Sequence, residues 1–411
     1  MEIRPILSAL MRNKTGAVLI AIQVAISLAI LSNALHIVQQ RLEVAARPSG
    51  VSDEGAQFYI IVRALQPAGH NAEIAAQKQQ TATLRAVPGV LAVAHTSQTP
   101  LSQSGNTTGL AAARGQSKAS AQASDYVAAD SLVDAWGLKL VEGRDFLPAE
   151  VLEIDPAATD ADPGVAIVTR ALAEQMFPGQ SGYVGRNVYF GIEAQAKSAR
   201  IVGVVERLQT HGAQLDQRGE TSILRPARRS GEHGSLYSVR AAPGQRAAVM
   251  QAAEAALRAA SPSPLILRLE TMDQDRAERY RSDSALAWML IAVCVLLLLV
   301  TASGVVGMAS LWVTQRRRQI GVRRALGARR RDILRYFLVE NLMITSAGVA
   351  AGAVLALALN QLLVRQLDMR QLPLAYLLAG AAILWPLGLG AAWGPAARAA
   401  AISPASASRG G

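Results

Sequence analysis

The sequence predicts an α+β membrane protein in which four transmembrane helices carry one large extracytoplasmic domain between the first and second helix. Hydrophobic residues make up 51% of the 411 residues and charged residues only 17%, a balance too apolar for an average soluble protein. Four long stretches contain almost no charged residue, and each is long enough to cross a bilayer as a helix. The net charge of +11 is concentrated beside these stretches.

The sequence predicts the four transmembrane helices with different clarity. Their predicted bounds are 15–40, 284–314, 339–364 and 372–394. The second is the clearest because it contains the run VLLLLV, whereas Pro386 and several glycines interrupt the fourth, as spanning helices tolerate. The first follows Arg4, Arg12 and Lys14, so a cleaved signal peptide is an alternative. Its apolar run exceeds the roughly 7 to 15 residues of a signal peptide, which favours an uncut anchor.

Basic residues indicate which helix ends face the cytoplasm. Residues 41–283 hold 25 Lys and Arg against 26 Asp and Glu, whereas the loop 315–338 alone holds nine arginines. By the positive-inside rule, residues 1–14, this loop and the tail 395–411 are cytoplasmic. The domain 41–283 and the turn 365–371 are then external. The excess charge therefore indicates membrane lipids as a partner and removes the support for nucleic acid.

The external domain is predicted to combine two β-α-β units with an inserted lobe. Segments 41–99 and 233–271 each contain a strand, a helix and a strand, which together predict a ferredoxin-like, porter-like α/β subdomain. Residues 100–232 contain short strand-like pieces and predict a mostly β lobe. The charged run 272–283 is predicted to form a stalk. The predicted strands are 57–64, 90–95, 164–169, 186–190, 200–205, 235–241 and 264–270, and the predicted helices are 71–86 and 244–260.

No motif in the sequence indicates an enzyme. The five histidines have no HExxH spacing, the single Cys294 excludes an intrachain disulfide, and no Gly-x-Ser-x-Gly turn is present. The glycine-rich run Gly179 to Gly185 lacks the lysine of a phosphate-binding loop. We therefore expect no catalytic residue, metal or cofactor in this chain, and no ATP hydrolysis by this chain alone.

The most informative segment is the basic run QRRRQIGVRRALGARRRDILR at 315–335. Ile320, Arg323, Arg324 and Gly327 fall at helical spacing, which predicts a short amphipathic helix along the membrane surface. On spacing alone, a topogenic loop that attracts anionic lipid is the favoured interpretation, ahead of a functional helix.

This loop resembles the signature of MacB/FtsX-type ABC transporter permeases, R-x-x-E-I-G-x-R-[KR]-A-L-G-A. It stands here as RRQIGVRRALGA at 317–328, with Gln319 where the family places Glu, so a salt bridge from that carboxylate to a partner is lost. The resemblance extends over the chain. Further motifs in the family's order are EGRDF at 142–146, VAIVT at 165–169, FPG at 177–179, IVGVV at 201–205 and the tail at 394–405.

The resemblance implies a permease subunit of the bacterial inner membrane with its large domain in the periplasm. Such permeases act as a homodimer, or as a heterodimer with a related permease, on a dimer of ABC ATPase subunits that bind ATP and Mg. ATP hydrolysis then drives periplasmic motion and substrate export or extraction, in some cases with a periplasmic adaptor and an outer-membrane channel. The alternative is an FtsX-like mechanical regulator of an envelope enzyme with no transported substrate.

The resemblance also implies which residues couple to the ATPase. They are Ile320, Gly321, Val322, Arg323, Arg324, Ala325, Leu326, Gly327 and Arg330. Among them, Ile320, Val322 and Leu326 are expected to supply the apolar contact, and the arginines suit an acidic groove.

Two small-residue pairs and one carboxylate complete the candidate residues of the membrane helices. Ser303 with Gly307, and Gly348 with Gly352, are spaced for close helix packing, either between two permeases or within one chain. Glu340 is expected at the cytoplasmic membrane boundary, where a helix N-terminus or a loop arginine stabilises it.

Overall fold

The computed structural model describes residues 14–65, 69–155, 157, 159–214, 217–230, 234–367 and 371–401. It contains two compact units, which we call the helical unit (residues up to Ala45 and from Asp283 onward) and the mixed unit (Ala46–Ser282). The sequence places these boundaries at 40/41 and 283/284. Most of the predicted cytoplasmic ends, 1–13 and 402–411, lies outside the described residues, as do 368–370 of the predicted external turn.

The two units are built from ten helices and twelve strands within the described residues. In chain order these are α1 (Lys14–Ala45), β1 (Gln57–Ala64), α2 (His70–Arg85), β2 (Val90–Thr96), β3 (Thr107–Ala111), β4 (Ala121–Ala128), α3 (Leu132–Ala135), β5 (Leu140–Gly143), β6 (Leu152–Ile154), β7 (Val165–Thr169), α4 (Arg170–Met176), β8 (Asn187–Phe190), β9 (Lys197–Val205), β10 (Ser222–Arg229), β11 (Ser235–Ala241), α5 (Arg246–Ala260), β12 (Leu265–Thr271), α6 (Met272–Arg279), α7 (Arg281–Gln315), α8 (Arg317–Ala325), α9 (Arg330–Leu367) and α10 (Leu374–Ala400).

The mixed unit contains the predicted ferredoxin-like subdomain. Its strands lie in the order β12-β1-β11-β2, and all neighbouring pairs are antiparallel. Helix α2 connects β1 to β2, and α5 connects β11 to β12, which is the β-α-β, β-α-β arrangement. In α5 the residues Val249, Ala253 and Leu257 recur every fourth position and are the buried ones. This helix begins two residues later than predicted, after Gly244, whose φ is +74°.

The inserted lobe is mostly β, as predicted, and its strands form a closed ring. The order around the ring is β4-β3-β8-β9-β7-β10, and parallel pairing of β10 with β4 closes it. Fully buried side chains such as Leu110, Ile201, Val204 and Ile223 fill its interior. One residue pair, Thr96 with Ala128, joins this ring to β2 of the ferredoxin-like sheet.

The helical unit contains four helices, α1, α7, α9 and α10, that are long and apolar enough to cross a membrane, as predicted. More than half of the apolar window of α1 is buried (56%), compared with 17% for α7. Helix α1 is therefore the central helix of this unit. Its Ser27 hydroxyl shares a hydrogen bond of 2.8 Å with the Thr301 hydroxyl of α7.

The two small-residue pairs of the sequence have different surroundings. A Cβ atom at Gly348 of α9 would lie 2.8 Å from the Ala21 carbonyl oxygen of α1, and one at Gly352 would lie 2.8 Å from that of Ala25. Close packing of α9 on α1 therefore occurs within the chain. By contrast, Ser303 is exposed, and no atom of the described residues lies within 4 Å of a Cβ placed at Gly307.

Candidate functional site

The signature loop forms the short helix α8 between α7 and α9. Only Arg316 separates α8 from α7, and its backbone N–H still donates to the Trp312 carbonyl at 3.0 Å. The helix ends at Ala325, and Gly327 follows two residues later with a φ of +97°, a conformation that glycine adopts without strain. The N–H of Ala328 then donates to the Arg323 carbonyl at 3.1 Å. These turns hold α8 close to the ends of both neighbouring helices.

One face of α8 is buried within the helical unit. Ile320 is 4% exposed and packs in an apolar cluster with Ile333, Phe337, Ala396 and Ala399 from α9 and α10. The resemblance implies that Ile320 contacts a partner, whereas in this structure residues of α9 and α10 cover its side chain. A side chain buried against its own chain anchors the helix instead.

Polar contacts anchor α8 further. Both carboxylate oxygens of Glu340 accept from Arg316 Nη1 at 2.9 Å, and Glu340 is 1% exposed. The loop arginine expected beside Glu340 is therefore Arg316. Arg324 Nη1 donates to the Ala400 carbonyl at 2.8 Å, a contact that no sequence signal marks because its acceptor is a backbone atom.

The opposite face of α8 is open. Leu326 is 83% exposed and Val322 is 56% exposed, although both are apolar. Among the other predicted residues, Gly321 is buried, Arg324 is partly buried, and Arg323, Ala325, Gly327 and Arg330 are exposed. We call the two side chains of Val322 and Leu326 the apolar patch. With positive charge around it, the patch is suited to an acidic surface that has an apolar depression.

Arg323 combines exposure with a defined position. Its guanidinium lies 5.1 Å from the ring centroid of Tyr336 on α9, within the range of a cation–π contact. The sequence analysis did not single out Tyr336. Its place one helical turn before Glu340 is the only signal that could have suggested it.

A second feature lies in the mixed unit, in the loop 209–214, which we call the joint loop. Gln209 Nε2 donates to the carbonyls of Arg47 and Pro48 at 3.1 and 3.2 Å. The Gln209 backbone N–H donates to the Ser49 carbonyl at 2.7 Å. Residues 46–49 follow α1 directly in the chain, so the joint loop holds the segment through which the chain enters the mixed unit.

The joint loop also holds the segment through which the chain leaves the mixed unit. Arg279, the last residue of α6, donates from Nε to the Gly212 carbonyl at 2.7 Å and from Nη2 to the Ala213 carbonyl at 2.9 Å. The next residue, Tyr280, is 4% exposed and donates its hydroxyl to Gln209 Oε1 at 3.3 Å. Helix α6 and the entry segment are thus tied to the same six residues.

The joint loop belongs to the inserted lobe, and other residues of the lobe contact it. Tyr126 of β4 donates its hydroxyl to the Gln209 carbonyl at 2.8 Å, and the Leu101 N–H donates to the Thr210 carbonyl at 3.3 Å. Leu101 and Ala213 have φ angles of +68° and +40°, which side chains other than glycine rarely adopt. Such backbone persists only where its surroundings determine it.

An ion pair fixes the entry segment near the joint loop. Glu54 accepts from Arg276 of α6 at 2.6 and 2.8 Å, and the Ser49 hydroxyl donates to the same carboxylate at 2.6 Å. Burial alone would raise the pKa of Glu54, but the hydrogen bonds from Arg276 and Ser49 outweigh it and lower that pKa. The entry segment and α6 are therefore joined by a charged contact.

Comparison with protein families identifies the chain. The model of the MacB-like periplasmic core domain matches residues 17–259, more than half of the chain, and the model of the FtsX-like permease C-terminal region matches residues 291–404. The chain belongs to the MacB/FtsX-like permease family. This permease is accordingly a multi-pass membrane protein with a periplasmic domain, and the mixed unit corresponds to that domain.

The permease is similar to parts of larger proteins. It is 43% identical over 75 residues to the pyoverdine export ATP-binding/permease protein PvdT of Pseudomonas entomophila, which is 18% of this chain and 12% of that protein. It is 28% identical over 221 residues to the macrolide export ATP-binding/permease protein MacB of Chromobacterium violaceum, which is 53% of this chain and 32% of that protein. The permease thus spans a third or less of the length of these relatives.

Among solved structures, the periplasmic region of MacB from Actinobacillus actinomycetemcomitans is similar to this permease. The match covers 56% of this chain and 94% of that structure, with 15% sequence identity and a TM-score of 0.35.

Proposed function

We propose that the permease is the membrane subunit of an ABC transporter of the bacterial inner membrane and that it couples to a separate ATPase subunit through α8. The exposed apolar patch of Val322 and Leu326 carries this proposal. Exposure of two large apolar side chains to water is unfavourable, so a partner that covers them gains binding free energy. An ATPase dimer that binds ATP and Mg provides that partner, since no phosphate-binding loop occurs in this sequence.

The anchored face of α8 supports a mechanical role. A docking helix transmits force only when it moves together with the membrane helices. Ile320, the Arg316–Glu340 pair and the Arg324 contact with the Ala400 carbonyl tie α8 to α9 and α10 at separate points. Breaking a buried ion pair such as Arg316–Glu340 costs about 3–5 kcal/mol, so the helix keeps its position under load.

The joint loop supports transmission into the periplasm. Motion of α1 and α7 reaches the mixed unit through the two chain segments that the joint loop holds, and Tyr126 connects that loop to the lobe. We infer that the complex uses this motion to export or extract a substrate, as a dimer of two copies or with a related permease. A periplasmic adaptor and an outer-membrane channel are the expected further partners.

The test compares two variants that each add one negative charge to the loop, one within α8 and one at the residue that follows it. Leu326→Asp places a charge where an apolar contact is desolvated, which costs several kcal/mol. We expect more than about tenfold loss of permease-stimulated ATP hydrolysis and of ATPase capture in a pull-down. Gln319→Glu restores the residue that the family places there, and we expect it to retain both activities.

Equal behaviour of Leu326→Asp and the wild type in both assays would contradict the docking role and leave a topogenic loop. Membrane insertion of each variant is checked by alkaline extraction. Mass spectrometry of the purified wild-type complex identifies the partners. An adaptor supports transport, whereas a peptidoglycan hydrolase supports the mechanical regulator instead.

A further inference from the structure

The ferredoxin-like subdomain contains a cavity of about 570 Å³ between the C-terminal halves of α2 and α5. This volume is within the range of small-molecule sites, roughly 300–1,000 Å³. The described residues that line it carry no charged side chain. The cavity is separate from α8 and from the joint loop.

Two features of the sequence leave the cavity unfilled. Small residues, Ala76 on α2 and Ala260 at the end of α5, face the cavity where larger ones would fill it. Helix α5 then ends because Pro262 and Pro264 follow, and proline cannot continue a helix. The Ser261 hydroxyl donates to the Ser263 carbonyl at 2.7 Å, which holds this proline-containing rim in place.

Two glutamine side chains give the cavity a defined hydrogen-bonding character. Gln80 Oε1 accepts from the Tyr237 hydroxyl at 2.7 Å, so the amide N–H groups of Gln80 remain as donors. Gln79 Nε2 donates to the Ala260 carbonyl at 3.3 Å, so its Oε1 remains as an acceptor. The cavity therefore offers one oriented donor group and one oriented acceptor.

The remaining lining is apolar. Leu257 is 1% exposed and forms part of the floor, while Leu65 at the end of β1 is 60% exposed although it lines the cavity. A charged ligand would lose hydration here without meeting an opposite charge, which is unfavourable. An uncharged ligand that covers Leu65 would gain from the removal of apolar surface from water.

We propose that this cavity binds an uncharged amphipathic small molecule that has an apolar body and a group able both to donate and to accept a hydrogen bond, such as an amide or a hydroxyl. Such a group satisfies Gln79 and Gln80 together, and the apolar body lies against Leu65 and Leu257. The proposal does not require ATPase docking, so it stands or fails separately from the coupling role of α8.

The test measures alkylation rates of single cysteines in the full chain in lipid nanodiscs. In a Cys294→Ser background, Thr83→Cys places a thiol in the cavity, and Ala82→Cys places one on the exposed side of the same helix. The probes are uncharged N-phenylmaleimide and its carboxylate and trimethylammonium derivatives. At each cysteine we compare the alkylation rate of the uncharged probe with that of each charged probe. We expect this rate ratio to be about tenfold higher at residue 83 than at residue 82, which corresponds to about 1.4 kcal/mol.

The second measurement uses a variant in which a larger side chain fills the cavity. Ala76→Phe, combined with Thr83→Cys, should abolish the preference for the uncharged probe without changing the rates at Ala82→Cys. The same probe preference at both cysteines overturns the proposal. A preference for either charged probe at residue 83 overturns the assigned ligand class. Size-exclusion chromatography of every variant verifies that it is folded.

Discussion

Asp275 on α6 is a carboxylate whose surroundings disfavour its charge. Its Oδ2 atom is buried without a hydrogen-bond partner among the described residues. Burial, together with the nearby carboxylates of Glu270 and Glu278, raises its pKa to about 7, although Arg268 acts in the opposite direction. Burial raises the pKa of Tyr59, and the nearby charge of Asp275 raises it further. We therefore expect Asp275 to change its protonation state near neutral pH.

The sign of the pH dependence follows from the raised pKa. Between the ordinary aspartate pKa of about 3.9 and the folded value, the folded state binds more protons than the unfolded state, so stability falls as pH rises through about 7. We expect the melting temperature of the full chain to fall between about pH 5 and pH 8. The Asp275→Asn variant should show a smaller decrease over this range and should be more stable than the wild type at pH 8. Differential scanning fluorimetry at several pH values measures it. Parallel curves for both proteins would count against the assignment.

At the scale of the element, glycines decide how closely α9 approaches α1. Gly348 lies against Val24 as well as against the α1 backbone. Dispersion contacts between close backbones are the main attraction between helices in lipid, where no hydrophobic driving force exists. The exposed side of α7 at Gly307 has no such contact with the part of the chain that the structure describes.

Two leucine substitutions test this difference. Gly348→Leu forces α1 and α9 apart and should lower the stability of the isolated chain by about 1–3 kcal/mol or prevent its accumulation. Gly307→Leu should leave that stability unchanged. Thermal unfolding of both variants in the same detergent compares them. A loss of stability with Gly307→Leu, or none with Gly348→Leu, would show that the packing assignment is wrong.

At the scale of the whole molecule, the joint loop is the place where the inserted lobe meets both connections to the membrane helices. If it transmits motion, its side chains are needed for the response of the lobe but not for ATP hydrolysis. Gln209 and Arg279 are two of the side chains that make polar contacts between the joint loop and those connections. Removing both side chains should interrupt the transmission of motion to the lobe without affecting the docking of the ATPase.

We expect the double variant Gln209→Ala/Arg279→Ala to hydrolyse ATP in the complex at the wild-type rate within about twofold, while the lobe no longer changes on nucleotide binding. Hydrogen–deuterium exchange of peptides from β3, β4 and β10, with and without a non-hydrolysable ATP analogue, measures that change. Arg258→Ala is the matched control because Arg258 pairs on an exposed helix face with Glu254. An unchanged nucleotide response in the double variant would eliminate the transmission role.

Some strands follow from the sequence and others do not, and the reason lies in what stabilises each one. Strands β1 and β11 occur at their predicted bounds. Most residues of β1 are apolar or aromatic, and β11 has Tyr237, Val239 and Ala241 at alternate positions, all buried. Strand β10, SILRPARR, was not predicted because arginines and a proline argue against a buried strand. It is buried because Arg225 pairs with Asp125 and Asp162, which are distant in sequence.

The candidate site, too, is predicted by the sequence only where its contacts are local in the chain. The basic residues and their helical spacing predict α8, and the carboxylate of Glu340 predicts a nearby arginine. Which face of α8 is covered depends on α9 and α10, so the burial of Ile320 and the exposure of Leu326 could not be deduced from the loop alone. A helix of nine residues has no separate stability to fix its orientation.

The strand order of the ferredoxin-like sheet also governs how the protein is made. Strand β1 pairs with β11 and β12, and its partner residues in β11 are synthesised more than 170 residues later. During synthesis, β1 therefore remains an unpaired apolar strand while the ring of the lobe, whose strands lie within 107–229, can already fold. Pairing that is so distant in sequence is slow and leaves strand edges open to aggregation. A chain released before β11 thus carries an exposed β1, and quality-control proteases and chaperones of the periplasm have a defined segment to bind.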